Sequence, residues 1–189
     1  MVGIDEVGRG SLAGPLLVVA ARQFDQLPPG VTDSKLLTRQ LREELFEALV
    51  AACRFGEGWV SSVEIDRRGL TGAMRLGVKR SLRSLEVSWD EDIIMDGPYN
   101  YLGRSFKRVQ CLVDADAQVP LVSAASIYAK VRRDRLMIEL ARDYPAYGFE
   151  NHVGYGTPAH RLALADHGPI AGLHRQLFAP VRLLQEQLL

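Results

Sequence analysis

The sequence predicts an α/β fold in which a mixed β-sheet is covered by helices on both faces. Short apolar runs rich in β-branched residues come first and then alternate with longer stretches of helical periodicity. Of the 189 residues, 47% are hydrophobic, which is enough for one sizeable core. No internal repeat or low-complexity linker divides the chain, so we expect one main domain.

Apolar runs predict the strands, and the first two runs form a hairpin with its turn at Gly14-Pro15. The predicted strands are 2–7, 16–24, 92–96 and 108–113, with a mixed strand signal over 54–65. The hairpin places Asp5 near the centre of a sheet, with a partner strand beside it.

Apolar residues at helical spacing predict the helices, and Tyr144-Pro145 ends the longest of them. The helices are 38–52 with Thr38 as N-cap, 70–85, 122–143 and a short helix starting at Thr157-Pro158, followed by an amphipathic segment over 178–189. Helices placed between strands are typical of a sheet covered on both sides.

Charge gives no overall indication of a nucleic-acid partner, because Lys plus Arg and Asp plus Glu both number 23. Any basic surface must therefore be local, and most local clusters are simply solvated helix faces. The clusters are Lys79, Arg80 and Arg83; Arg104, Lys107 and Arg108; and Lys130, Arg132, Arg133 and Arg135.

Cysteine usage and the apolar segments indicate the compartment. Cys53 and Cys111 lie in apolar surroundings without metal-ligand or redox spacing, so we expect reduced core residues. The amino terminus has no basic stretch before an apolar one, and no apolar run approaches about 18 residues. We expect a soluble, cytoplasmic, monomeric protein with no membrane partner.

Carboxylates follow predicted strands at three places, which are Asp5 with Glu6, Asp96, and Asp116 or Asp114. Ends of adjacent strands lie close together in a sheet, so these acids are expected to converge. Three or four carboxylates without a matching histidine cluster favour Mg²⁺ or Mn²⁺, which prefer oxygen ligands.

Each acid also has a plain structural explanation. An Asp before Gly, as at Asp96-Gly97, is commonly a turn residue, and Asp116 alone is equally ambiguous. Asp5 and Glu6 are harder to explain, because charges after a buried stretch are strongly destabilising unless they are paired. Successive side chains on a strand point to opposite faces, so we expect Glu6 to reach a metal only from a strand end, bulge or turn, or through its backbone carbonyl.

The four histidines do not have the spacing of a zinc site. His152, His160, His167 and His174 lie seven or eight residues apart, without the i, i+4 pairing of a helical zinc site. We expect them to have surface or capping roles.

The turn Gly8-Arg9-Gly10 can bring backbone N–H groups close to an anion, although it lacks the Lys-Ser/Thr of a phosphate-binding loop. An acidic pair beside such a turn is expected where a divalent cation lies between acid and substrate. Lys35 and the loop 154–157 add basic and hydroxyl groups. Tyr155, between two glycines, can stack on a sugar or base, or simply pack.

Six sequence blocks in order resemble bacterial ribonuclease HII, the type 2 ribonuclease H family. They are GIDEVGRGSLAGPL (3–16), DSKLL (33–37), MDG (95–97), DAQVPLVSAASIYAKVRRDRLM (116–137), YPAYGFENHVGYGT (144–157) and HGPIAGLHRQLFAPV (167–181). The resemblance covers the chain to residue 181.

The resemblance implies a ribonuclease H-like fold, with a catalytic domain over 1–143 and a C-terminal helical extension over 144–189 packed on it as a single structural unit. It also implies an endonuclease that hydrolyses the RNA strand of RNA–DNA hybrids and nicks duplex DNA at embedded ribonucleotides. The implied chemistry is a two-metal mechanism with Mg²⁺ or Mn²⁺ that gives 5′-phosphate and 3′-hydroxyl products.

By this resemblance, the catalytic and metal-binding acids fall on Asp5, Glu6, Asp96 and Asp116. Counting back from Ser126 selects Asp116 over Asp114. The implied substrate-binding residues are Gly8, Arg9, Gly10 and Tyr155, with the turn recognising a 2′-hydroxyl and Tyr155 stacking on the next sugar. Lys35 and part of the 130–135 cluster are expected to hold backbone phosphates.

The chain departs from the family pattern at three positions, where it has Val153, Leu177 and Asp114. The family often has lysine, serine and a basic or neutral residue there, so each departure affects substrate binding rather than chemistry. Two other functions stay open, a metal-dependent DNA nuclease or resolvase on the same fold and a binding module without catalysis. The presence of all four acids argues against the binding module.

Overall fold

A five-stranded sheet with strand order β3-β2-β1-β4-β5 forms the centre of the fold. The structure, a computed structural model, describes residues 1–187. Its strands are β1 Val2–Val7, β2 Leu16–Gln23, β3 Cys53–Val60, β4 Ile93–Asp96 and β5 Val109–Leu112. Because β1 pairs antiparallel with β2 and parallel with β4, and β4 pairs parallel with β5, the predicted mixed sheet is confirmed.

The helices connect and follow these strands. They are α1 Arg39–Ala52, α2 Ser62–Ser84, α3 Ala115–Gln118, α4 Pro120–Asp143, α5 Phe149–His152, α6 Pro158–His167 and α7 Ala179–Gln187, with 3₁₀ segments at Gly103–Ser105 and Pro145–Tyr147. The predicted N-caps are confirmed, since Thr38 Oγ1 accepts the N–H of Leu41 and Thr157 Oγ1 accepts that of His160. Residues 188–189 of the predicted C-terminal segment lie outside the described residues.

Helix α2 begins earlier than the predicted start at residue 70. The apolar periodicity does not carry across Gly69, whose φ of 66° breaks the regular helical geometry. The mixed signal over 54–65 therefore contains both the end of β3 and the first residues of α2.

The chain forms two compact units that interleave along the sequence. The first contains Met1–Val7, Leu17–Trp59 and Met74–Val131, and the second contains Gly8–Leu16, Val60–Ala73 and the chain from Arg132 onward. Neither coincides with the predicted ranges 1–143 and 144–189, so that division stays a prediction.

Both faces of β2 are covered in the first unit. Leu17, Val19 and Ala21 pack with Leu121 and Ala125 of α4. On the other face, a Cβ at Gly77 of α2 would overlap Val18 Cγ2. Burial on both faces explains why β2 is almost continuously apolar.

The second unit has its own apolar core. Its buried members are Leu12, Ala13, Met137, Ala141, Tyr147, Phe149, Leu164 and Val181. Along residues 1–187, none of the helices is long and apolar enough to cross a bilayer.

Candidate active site and substrate turn

The central strand β1 positions Asp5. Asp5 is paired with Val19 of β2 and Glu6 with Val18. Residues directly opposite each other share a face of the sheet, so Asp5 lies on the face that α4 covers. There the residue is only 6% exposed, and its carboxylate is hydrogen-bonded to the side chain of Ser126, whose Oγ lies 2.9 Å from Ser34 Oγ.

Glu6 follows the alternation of the strand. Strand β1 stays paired with β2 through Val7, so the side chains of Asp5 and Glu6 point to opposite faces. The backbone N–H of Glu6 donates to Asp5 Oδ1 at 2.7 Å. The Glu6 carboxylate is nonetheless close enough to raise the pKa of Asp5.

Asp96 stands beside Asp5 because β1 and β4 run parallel with Ile4 opposite Met95. Its Oδ1 accepts the N–H of Ala115 at 2.7 Å. Asp116 was expected to follow a strand end directly, but it lies within the one-turn helix α3. It is 2% exposed, whereas Asp114 is exposed with φ of 56°, so the structure buries Asp116 and leaves Asp114 in solvent.

Electrostatics couple these carboxylates, which we call the acidic group (Asp5, Glu6, Asp96 and Asp116). Burial raises the pKa of Asp5 well above its ordinary value, and Glu6 and Asp96 raise it further. Burial also raises the pKa of Asp96, and Asp116 adds to that effect. The acidic group therefore behaves as one set of mutually repelling charges.

Lys35 brings a positive charge to the acidic group. Its Nζ lies 3.0 Å from Asp116 Oδ2 and 3.8 Å from Asp33 Oδ1. The hydrogen bond to Asp116 raises the pKa of Lys35, which is consistent with a stable ion pair. Its side chain is 73% exposed, so the ammonium is also accessible from solvent.

The acidic group has the chemistry of a divalent-cation site without forming a closed cage. Among the described residues, no three His, Cys, Asp or Glu side chains are gathered closely enough to hold a metal ion. In this same part of the chain, neither Asp5 nor Asp96 has an ion-pair partner. Carboxylate oxygens without an ion-pair partner have the chemistry that Mg²⁺ or Mn²⁺ prefers.

The glycines of the turn Gly8-Arg9-Gly10 have different surroundings. Gly8 is buried with φ of 82°, and a Cβ there would overlap the guanidinium of Arg133. Gly10 is exposed, and a Cβ built on it meets no atom within 4 Å. The fold itself therefore requires glycine at position 8 but not at position 10.

The loop that carries Tyr155 is fastened through its backbone. The Gly154 carbonyl accepts the N–H groups of Leu12 and Ala13 at 2.8 and 3.2 Å. The Tyr155 ring is half-buried, and the Arg133 Cζ lies 5.5 Å from its centre. Val153 adopts a left-handed φ of 44°, an unfavourable conformation for a β-branched residue.

Three of the four histidines are buried, whereas His167 is exposed, so the expected surface role fails for those three. His152, His160 and His174 are buried, and His160 Nε2 lies 3.1 Å from His174 Nε2. Their partners assign the protons. Since the Tyr155 carbonyl can only accept, His160 carries its proton on Nδ1, and His174, which accepts the Ile170 N–H at Nδ1, must donate from Nε2.

This arrangement requires both histidines to be neutral. Burial lowers the pKa of His160 and the pKa of His174 to about 4. His152 also hydrogen-bonds the main chain, since its Nδ1 accepts the Gly154 N–H and its Nε2 donates to the Tyr147 carbonyl. The hydrogen bonds of His152 and His160 thus hold the main chain on both sides of residue 154.

Sequence reasoning missed several residues that shape these sites. Ser126 was used only to align the sequence, although a serine within the apolar, alanine-rich start of α4 suggests a buried hydroxyl with a partner. Arg133 was grouped with surface cations, and Arg175 was assigned no role, but both are fully buried. Charge patterns alone do not distinguish a buried arginine from a solvated one.

Solved structures of ribonucleases H have a fold similar to that of this chain. Ribonuclease H2 from Pyrococcus horikoshii superposes with a TM-score of 0.79 at 26% identity, covering 98% of this chain and 97% of that one. A Bst-RNase HIII solved with Mn²⁺ gives a TM-score of 0.67 at 20% identity over 98% of this chain and 69% of that one, a likeness of fold. The fold is therefore the ribonuclease H-like fold.

Sequence comparison gives the family. The family model for ribonuclease HII matches residues 2–181. Ribonuclease HII of Sphingopyxis alaskensis is 44% identical over 185 residues, covering 98% of this chain and 91% of that protein. The chain belongs to the ribonuclease HII family.

Asp5→Asn is expected to stabilise the metal-free protein at neutral pH. The raised pKa of Asp5 means that its ionised form opposes folding, and asparagine removes the charge while keeping an acceptor for the Glu6 N–H. We expect an increase of roughly 1–3 kcal/mol in the free energy of unfolding, measured by urea denaturation in chelator. Mn²⁺ should stabilise the wild type and not the variant.

The matched control is Asp114→Asn, which removes an exposed carboxylate close in sequence to Asp116. It should change stability by less than about 0.5 kcal/mol and keep the response to Mn²⁺. Destabilisation by Asp5→Asn in chelator would contradict the account of a repelled, unpaired charge.

His174→Asn should flatten the acid side of the stability profile. The unfolded chain takes up protons below the ordinary histidine pKa of 6.5, whereas folded His174 does so only near pH 4, so stability falls as pH drops through this window. Each such histidine contributes about 1.4 kcal/mol per pH unit there. Urea unfolding at about pH 4.5, 5.5 and 6.5 gives the slope of the free energy of unfolding against pH. The control His167→Asn changes an exposed histidine and should leave this slope unchanged.

Proposed function

We propose that this protein is an endonuclease that hydrolyses the RNA strand of RNA–DNA hybrids and nicks duplex DNA at embedded ribonucleotides. The observation that carries the proposal is the buried Asp5 on the central strand, coupled electrostatically to Glu6 and Asp96. Burying a carboxylate costs free energy, so a buried carboxylate at this position is expected where a bound cation offsets that cost. Membership of the ribonuclease HII family supports this activity and its substrate class.

The acidic group would hold Mg²⁺ or Mn²⁺ through the carboxylates of Asp5, Asp96 and Asp116. Two ions bound there would activate a water and stabilise the leaving 3′ oxygen, which gives 5′-phosphate and 3′-hydroxyl products. Ser126 holds the Asp5 carboxylate in place through its hydroxyl. Glu6 would contribute from the opposite face, through its side chain or through its backbone carbonyl.

Lys35 has two successive roles in this proposal. Without a bound cation its ammonium neutralises Asp116 at 3.0 Å. If Asp116 held a cation, the solvent-accessible Lys35 ammonium would turn from Asp116 to a backbone phosphate of the substrate.

The turn Gly8-Arg9-Gly10 would read the 2′-hydroxyl that separates RNA from DNA. Gly10 supports this role, because its exposed position leaves room for close approach to the backbone. Tyr155 would stack on the adjacent sugar, with its ring held against Arg133. Val153 and the exposed Leu177 add no positive charge, so we expect modest affinity for the hybrid. We also expect the enzyme to be monomeric and cytoplasmic.

Purified protein is expected to nick a duplex that contains one ribonucleotide when Mg²⁺ or Mn²⁺ is present. Asp96→Asn should lower the rate by at least about 100-fold, because it removes a charge that a cation requires, whereas Asp114→Asn should stay within about twofold of wild type. Gel analysis of end-labelled strands measures both. Equal cleavage of an all-DNA duplex would instead indicate the DNA nuclease or resolvase.

Gly10→Ala and Gly8→Ala separate substrate contact from folding. Gly8→Ala should destabilise the fold by more than about 2 kcal/mol, since φ of 82° and the overlap with Arg133 both oppose a Cβ. Gly10→Ala should leave the free energy of unfolding within about 0.5 kcal/mol and raise KM for the ribonucleotide-containing duplex about tenfold. An unchanged KM would remove the turn from substrate recognition.

A further inference from the structure

Two arginines are buried behind the turn 8–10 and the residues that follow it. Arg133, in the second half of α4, and Arg175, after α6, are both 0% exposed. Within the described residues, every hydrogen bond of their guanidinium groups goes to a backbone carbonyl. Buried arginines normally pair with carboxylates, so this arrangement needs a reason of its own.

Arg175 binds the turn itself. Its Nη2 donates to the Gly8 carbonyl at 2.6 Å, and its Nη1 donates to the Arg9 carbonyl at 2.9 Å. Nε and Nη2 both reach the Gly14 carbonyl, at 3.2 and 2.9 Å. The rigid fork of one guanidinium thus fixes two successive peptide units of the turn, which the single ammonium of a lysine cannot do.

Peptide geometry then determines where the amides of the turn point. In a planar trans peptide, the carbonyl of one residue and the N–H of the next point in opposite directions. The Gly8 and Arg9 carbonyls face Arg175, so the N–H groups of Arg9 and Gly10 point away from it. Arg9 is half-buried and Gly10 is exposed, so these amides face the accessible side of the turn.

Arg133 holds the residues that follow the turn and the loop that contains Val153. It donates to the carbonyls of Ala13, Pro15 and Val153 at 3.1, 2.9 and 2.8 Å. The two guanidinium groups lie close enough for Arg133 to lower the pKa of Arg175, after the larger effect of burial. A guanidinium stays protonated at neutral pH, so two like charges are held behind the turn and make its outer side attractive to anions.

We propose that Arg175 is a positioning residue that turns the Arg9 and Gly10 amides toward the ribonucleotide, and so sets the discrimination between RNA and DNA. The inference rests on the proposed function, because it requires that the turn reads a 2′-hydroxyl. Arg175 does not touch the substrate and acts through the two carbonyls that it holds.

The test is the ratio of two dissociation constants, for a duplex with one ribonucleotide and for the same duplex in all-DNA form. Binding is measured by fluorescence anisotropy with Mg²⁺ in the Asp96→Asn background, so that the duplex is not cut. Adding Arg175→Lys keeps the positive charge but replaces the two-pronged guanidinium by a single ammonium. The ratio of the two dissociation constants should then fall about tenfold, while the affinity for the all-DNA duplex stays within about twofold. A purely structural defect would weaken both constants alike.

Arg22→Lys is the matched control, since the Arg22 fork binds Glu91 and the Leu85 carbonyl away from the turn. It should leave the ratio unchanged. A preserved preference in Arg175→Lys, or no preference in the Asp96→Asn parent, overturns the inference. Failure of wild type to nick the ribonucleotide-containing duplex is a separate result, and it overturns the proposed function.

If Arg175→Lys does not fold, amide NMR of the Asp96→Asn protein provides the second measurement. The Arg9 and Gly10 amide signals should shift more with the ribonucleotide-containing duplex than with all-DNA. Equal shifts with both duplexes would overturn the inference without any arginine variant.

Discussion

A carboxylate buried in the central strand is the constraint on which the acidic group depends. Asp5 is fixed by pairing on both sides of β1, so it cannot relieve its burial by moving into solvent. The parallel partner β4 brings Asp96 beside it, and α3 brings Asp116 beside Asp96. The sheet thus concentrates like charges that favour unfolding of the metal-free protein, and a bound cation would reverse that effect.

The turn 8–10 depends on a different interaction, the hydrogen bonding of its carbonyls to buried cations. Arg175 holds the turn and Arg133 holds the residues after it, while neutral His160 fixes the Tyr155 carbonyl. In the turn, the N–H groups of Arg9 and Gly10 point away from Arg175, because the carbonyls of the same peptides face it. A short glycine turn can therefore be rigid without side chains of its own that block a ligand.

Local patterns allowed much of this structure to be predicted. Apolar runs identified four of the five strands, and Thr38 and Thr157 identified two helix starts, because capping and burial on a sheet act between near neighbours. Where a pattern was interrupted, prediction failed, as at Gly69 in α2. The position of Asp116 in a one-turn helix was also missed, since so short a helix has no periodicity to recognise.

The sequence by itself determined which residues are available for chemistry: carboxylates after apolar strands, a glycine-rich turn, and six blocks in family order. Only the tertiary structure decided how each residue is used. It buried Asp116 and exposed Asp114, made His160 and His174 neutral, and directed Arg133 and Arg175 onto carbonyls. The physical reason is that burial and hydrogen-bond partners come from segments distant in sequence, and these set the charge state and direction of a side chain.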